Sequence, residues 1–108
     1  MEDIFILPEA TKNSQPSWFG FPLSIRDNKI NRNELINFLG SRNIDTRLIF
    51  AGNITKQPYM IDRKFRIASE LKNSDYVMHN TFWIGVFPAL RKVHLNYIIK
   101  SINEFLKK

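Results

Sequence analysis

A chain of 108 residues with 44% hydrophobic content holds one domain and one modest core, too little for both a full substrate cleft and a large cofactor cradle. The formal charge of +6 and pI near 9.8 attract polyanions in general, yet the basic residues are scattered apart from Lys107 and Lys108, which disfavours a nucleic-acid stripe. The absence of cysteine excludes disulfides, thiolate zinc sites and a cysteine nucleophile; with no apolar run near the roughly 18 residues a membrane span needs and no basic-then-apolar leader, a soluble cytoplasmic protein is expected.

Residues 1–15 read as an extended leading arm, with Ile4-Phe5-Ile6-Leu7 stopped by Pro8. Residues 18–25 are aromatic and apolar, and Asp27-Asn28-Lys29 supplies turn chemistry, which predicts a strand closed by a turn. Pro22 places that strand at an edge or beside a bulge. Asn31 or Asn33 is suited to cap a following helix, Glu34 suits its positive first turn, and Leu35, Ile36 and Leu39 recur at helical spacing until Gly40.

Residues 46–50 are again strand-like, closed by Ala51-Gly52-Asn53. The stretch to about Lys72 is the least regular; Asn73 or Ser74 then offers a cap for a short helix through Asn80, and residues 81–87 form an aromatic, β-branched strand stopped by Pro88. From about Arg91 to the end, Leu95, Ile98, Ile99, Ile102, Phe105 and Leu106 line one face of a helix. The expected fold is α/β in the α+β sense, a small sheet covered on one face by helices. Residues 1–15 lead into a single domain, residues 16–108.

Little in this pattern supports catalysis. His79 and His94 lack a second ligand at metal-like spacing, and Asp27, Asp45 and Asp62 follow no paired spacing for general acid/base work. The four glycines are too scattered for a phosphate loop, and no serine has the flanking glycines of a nucleophile elbow.

Three stretches carry a more specific signal: Pro16-Ser17-Trp18-Phe19-Gly20-Phe21-Pro22-Leu23, Thr46-Arg47-Leu48-Ile49-Phe50-Ala51-Gly52-Asn53-Ile54-Thr55-Lys56-Gln57-Pro58, and Asn80-Thr81-Phe82-Trp83-Ile84-Gly85-Val86-Phe87-Pro88. At these residues the chain resembles the C-terminal domain of the DegT/DnrJ/EryC1/StrS family, most closely its sugar-nucleotide 3-dehydratase branch in deoxysugar and lipopolysaccharide biosynthesis. That branch includes the CDP-4-keto-6-deoxyglucose and GDP-4-keto-6-deoxymannose 3-dehydratases. The resemblance runs from Leu7 to the last helix.

It implies the small domain of a fold-type I enzyme dependent on pyridoxal phosphate (PLP). The large domain that anchors the cofactor lies outside this sequence, so no catalytic or cofactor-binding residue carries over. The resemblance thus implies a truncated or split reading frame or an excised domain, whose partners are a PLP-binding large domain and a sugar nucleotide, in an enzyme whose full-length form is homodimeric.

The turn after the second strand is then expected to face the sugar nucleotide. Arg47 can offer a planar fork to a phosphate or sugar oxygen, while Asn53, Thr55 and Gln57 can hydrogen-bond hydroxyls or hold the loop. The structural alternative pairs Arg47 with Asp45 and gives Asn53 a left-handed turn position. For Trp18, Phe19, Phe82 and Trp83, core or domain-interface packing is favoured over stacking on a base. The competing function is a free-standing basic α/β module that binds RNA or another polyanion, against which the aromatics do not alternate with Lys and Arg.

Overall fold

The computed structural model describes residues 3–107. Strand β1 (Phe5–Ile6) is followed by β2 (Gly20–Ile25), helix α1 (Arg32–Ser41), strand β3 (Thr46–Leu48), two short 3-10 turns (Ile54–Lys56 and Pro58–Met60), helix α2 (Lys72–Asn80), strand β4 (Thr81–Gly85) and helix α3 (Lys92–Leu106). The strands form one antiparallel sheet in the order β1-β2-β4-β3. The expected α+β architecture is therefore present, with one strand more than the aromatic runs announced. Part of the leading arm pairs with the sheet, Phe5 opposite Ile25 and Ile6 opposite Ser24, and Phe5 enters the core.

Register decides which side chains meet. Leu23 lies opposite Phe82 and Phe21 opposite Ile84, so these share one face; Pro22 lies opposite Trp83 and Ser24 opposite Thr81 on the other. The Leu23 and Phe82 part of the first face is buried beneath Leu35 and Leu39 of α1 and Ile102 of α3, with Ile25, Ile44 and Phe5 completing the core, while Phe21 at its end stays exposed. On the second face, Ser24 and Thr81 join their hydroxyls at 2.7 Å.

Helix α1 starts as the sequence indicates: the Asn31 carboxamide oxygen accepts the Asn33 and Glu34 N–H groups. Pro22 is a partial correction, because β2 is an inner strand. β1 reaches only opposite Ser24 and Ile25, so at Pro22 the strand has a neighbour on one side alone and a missing N–H is tolerated. β3 and β4 end at Leu48 and Gly85, each two residues before the expected stop.

Helix α2 begins at Lys72 with neither Asn73 nor Ser74 as its cap; Leu71 precedes it and makes no side-chain cap. Its attachment is polar and tertiary. The Arg32 guanidinium donates to the Met78 carbonyl, and the Tyr76 hydroxyl donates to the Ile25 carbonyl. On α3, Ile102 is buried and Ile98, Phe105 and Leu106 are half-buried, while Leu95 and Ile99 remain exposed. A 15-residue helix is about 22 Å long. Its C-terminal half packs on α1 through Phe38 and Phe105, whose rings lie 5.5 Å apart, and through Arg42 to Glu104 at 2.6 Å. The predicted apolar face is thus real, and the core beneath it is shorter than the helix.

Candidate functional site

Trp83 stands on the sheet face that α1 and α3 leave uncovered, and its indole is held in place. The ring N–H donates to the Leu48 carbonyl at 3.2 Å, and the ring lies across the bare backbone of Gly20, where a Cβ would meet an indole carbon at 1.5 Å. Only glycine admits that approach. Phe19 and Phe50 flank the indole with centroids at 4.8 and 6.3 Å, both tilted, and both phenyl rings are largely in solvent.

Arg47 is the in-register neighbour of Trp83 across β3 and β4. Two open depressions share Arg47, Trp83 and Phe19. One, about 440 Å³, continues over Ile84, Phe87 and Ile98 to His94; the other, about 640 Å³, continues over Leu48 and Phe50. Among the described residues the Arg47 side chain makes no hydrogen bond or ion pair. Asp45 leaves it free: the Asp45 carboxylate accepts the Thr46 N–H at 3.0 Å. His94 serves its own helix, with Nδ1 accepting the Arg91 N–H at 2.9 Å.

The other three expected residues occupy a different environment. Asn53 is 2% exposed, and its oxygen accepts the Thr55 N–H at 3.1 Å and the Thr55 hydroxyl at 2.6 Å. Its amide donates to Asp75 at 2.7 Å. Gln57 donates to the Ala51 carbonyl at 2.7 Å, and Lys56 pairs with Asp75 at 2.8 Å. The loop is therefore knitted to itself and to the first turn of α2. Asn53 has an extended φ of −101°; the left-handed positions are Phe50 and Gly52. The structure thus brings Arg47 into the groove and turns Asn53, Thr55 and Gln57 inward.

Sequence reasoning missed Asp75 and Phe50. Asp75 lies 22 residues from Asn53, and no local pattern announces their contact. Phe50 reads as strand core but leaves the ladder at φ 39° and turns towards Trp83.

Hydrogen bonds from Lys56 and then from Asn53 hold the Asp75 carboxyl below its ordinary value of 3.8. A carboxylate depressed in the folded state adds stability above its unfolded pKa and loses it as pH falls through the folded one. Urea midpoints are therefore expected to be flat above about pH 5 and to fall below about pH 4. Asp75→Asn should remove part of that acid-side fall; identical pH profiles for both proteins would show that the latch does not couple to folding.

The whole arrangement has relatives. A profile of the DegT/DnrJ/EryC1/StrS aminotransferase family matches residues 1–103. The chain is 49% identical over 100 residues to the lipopolysaccharide biosynthesis protein RfbH of Salmonella typhimurium, covering 92% of this chain and 23% of that protein. It is also 49% identical over 104 residues to dTDP-4-dehydro-2,6-dideoxy-D-glucose 3-dehydratase of Saccharopolyspora spinosa, covering 95% and 22%. Among solved structures, E. coli GDP-4-keto-6-deoxy-D-mannose-3-dehydratase with bound hydrated PLP superposes with a TM-score of 0.82 at 21% identity, over 94% of this chain and 26% of that one. The chain thus spans about a quarter of the length of these proteins, and at that identity the structural likeness speaks for the fold. With the family profile running through nearly every element described above, this chain belongs to the DegT/DnrJ/EryC1/StrS aminotransferase family.

Proposed function

We propose that this chain is the small C-terminal domain of a PLP-dependent sugar-nucleotide 3-dehydratase or aminotransferase of deoxysugar and lipopolysaccharide biosynthesis, and that it completes the substrate site without catalysing alone. The observation that carries this reading is the 49% identity, over nearly the whole chain, to a protein named as a dTDP-sugar 3-dehydratase. In this reading Arg47 contacts the substrate's diphosphate. Asn53, Thr55 and Gln57 act as positioning residues that hold the loop beside it. The complete enzyme is a cytoplasmic homodimer.

The residues at the groove do not fit PLP. No lysine lines either depression, and Asp45 is the one carboxylate among their lining residues. PLP supplies carbanion stabilisation where it is bound, and we place it on the larger remainder of the enzyme. The RNA-binding alternative finds no support in the same surface, because the exposed rings have one cation beside them and no basic run.

The test is reconstitution. The chain, incubated with excess PLP and desalted, should keep no near-ultraviolet or visible cofactor band and no turnover. Added to the PLP-binding portion of a close relative, it should restore dehydration of a nucleotide-linked 4-keto-6-deoxyhexose. A stoichiometric band retained by the chain alone, or failure to restore turnover to a soluble, PLP-loaded partner, would sink the reading.

A further inference from the structure

We propose that Trp83 is the positioning residue of Arg47: its indole grips the end of β3 and so fixes where the Arg47 guanidinium stands. This role rests on the reading above, in which Arg47 meets the substrate, and names the residue through which the fold holds it there.

Arg47 has little else to hold it. It is the middle residue of a three-residue strand at the edge of the sheet, and that strand pairs with β4 alone. Its side chain makes no hydrogen bond or ion pair among the described residues. A long cation without a partner keeps its rotamer freedom, so its placement follows the backbone that carries it. A short edge strand opens easily at its ends, and this one ends at once: Phe50 turns out of the ladder at φ 39°.

Trp83 closes that end. In register with Arg47, it carries its side chain on the same face of the sheet. The indole N–H donates to the Leu48 carbonyl at 3.2 Å, and the same oxygen accepts the Phe50 N–H at 2.9 Å. The last residue of β3 is thereby tied both to β4 and to the turn that follows. Among the described residues this is the one side-chain hydrogen bond between the two strands. The grip is firm because β4 is an inner strand and the indole lies against the bare Gly20 backbone. A cation placed before binding loses less freedom when an anion arrives, so loosening β3 should weaken binding rather than chemistry.

Trp83→Phe keeps an aromatic ring on that face and removes the donor. In the 108-residue chain, hydrogen exchange followed by nitrogen-15 NMR should show the Phe50 amide exchanging about tenfold faster in this variant, with the Leu39 and Ile102 amides of α1 and α3 nearly unchanged. Phe50 exchange equal to the parent's would show that the indole does not hold the strand end, and the role falls.

The second arm uses the reconstituted enzyme. Trp83→Phe should raise KM about three- to tenfold with kcat near the parent value. In an Arg47→Ala background the same change should alter kcat/KM by less than about twofold, because the group it acts through is gone. Additive losses would mean that Trp83 meets the substrate itself, and kinetics per folded molecule equal to the parent would mean that it serves stability alone; either overturns the role.

The two readings fail separately. A soluble, PLP-loaded reconstitution without turnover sinks the enzyme reading and the positioning role with it. Restored turnover that Trp83→Phe leaves unchanged, or lowers as much without Arg47 as with it, sinks the role of Trp83 and leaves the enzyme reading standing.

Discussion

Gly52→Ala is expected to leave the domain unfolded or marginal, with a loss of roughly 3–5 kcal/mol. Two terms act together. The residue has φ +63°, where an L side chain is strained, and its new Cβ would stand 2.5 Å from the Met78 Cβ and 2.6 Å from the Met78 Cα. The second of these is helix backbone, which cannot rotate aside as a flexible side chain would. Gly40→Ala is the matched control, since the same atom added in α1 meets nothing within 4 Å and should stabilise by about 0.5–1 kcal/mol. Urea denaturation of the two variants should thus move in opposite directions. A Gly52→Ala loss below about 1 kcal/mol would mean that the loop can back away from α2 and that this contact does not position it.

Arg47→Ala and Asn53→Ala are expected to give opposite signatures in the reconstituted enzyme. Arg47 is exposed and unpaired among the described residues, so its removal should leave the melting temperature nearly unchanged. The catalytic efficiency should then fall by about ten- to 150-fold, the equivalent of roughly 1.5–3 kcal/mol for a lost charged hydrogen bond. Asn53 is buried and joined to Thr55 and Asp75, so Asn53→Ala strips three hydrogen bonds and leaves their partners without replacements. A stability loss of about 2–3 kcal/mol is expected, with kinetics per folded molecule close to the parent. Should Arg47→Ala lower stability while the kinetics stay constant, the guanidinium is structural and the substrate assignment is wrong. Should Asn53→Ala instead lower turnover at constant stability, the loop itself touches substrate.

The same contrast separates what was legible in the residues from what was not. The Asn31 cap, the helix from Leu35 to Leu39 and the strand cores around Leu23 and Phe82 depend on dihedral preference, side-chain period and hydrogen bonds closed within a few residues. Such information is local and survives reading one residue after another. The ordered motifs around Trp18, Arg47 and Trp83 likewise carried the family, because they specify residue types at fixed spacing.

Tertiary structure decided the rest. Period-two alternation puts Phe82 and Trp83 on opposite faces, but only the docking of α1 and α3 determines which face becomes the core. β1 is a two-residue strand whose Phe5 and Ile6 favour extended backbone, but so short a run becomes a strand only because β2 offers it a ladder. Asn53, Thr55 and Gln57 look as available to a ligand as Arg47 until Asp75 arrives on α2 and draws the loop inward. By itself, the sequence determined the three helices and the three strands after β1, the family and the short set of polar candidates. The fold then separated a guanidinium unpaired among the described residues from the inward-turned loop residues, because burial and hydrogen-bond partners depend on contacts between segments that no local preference encodes.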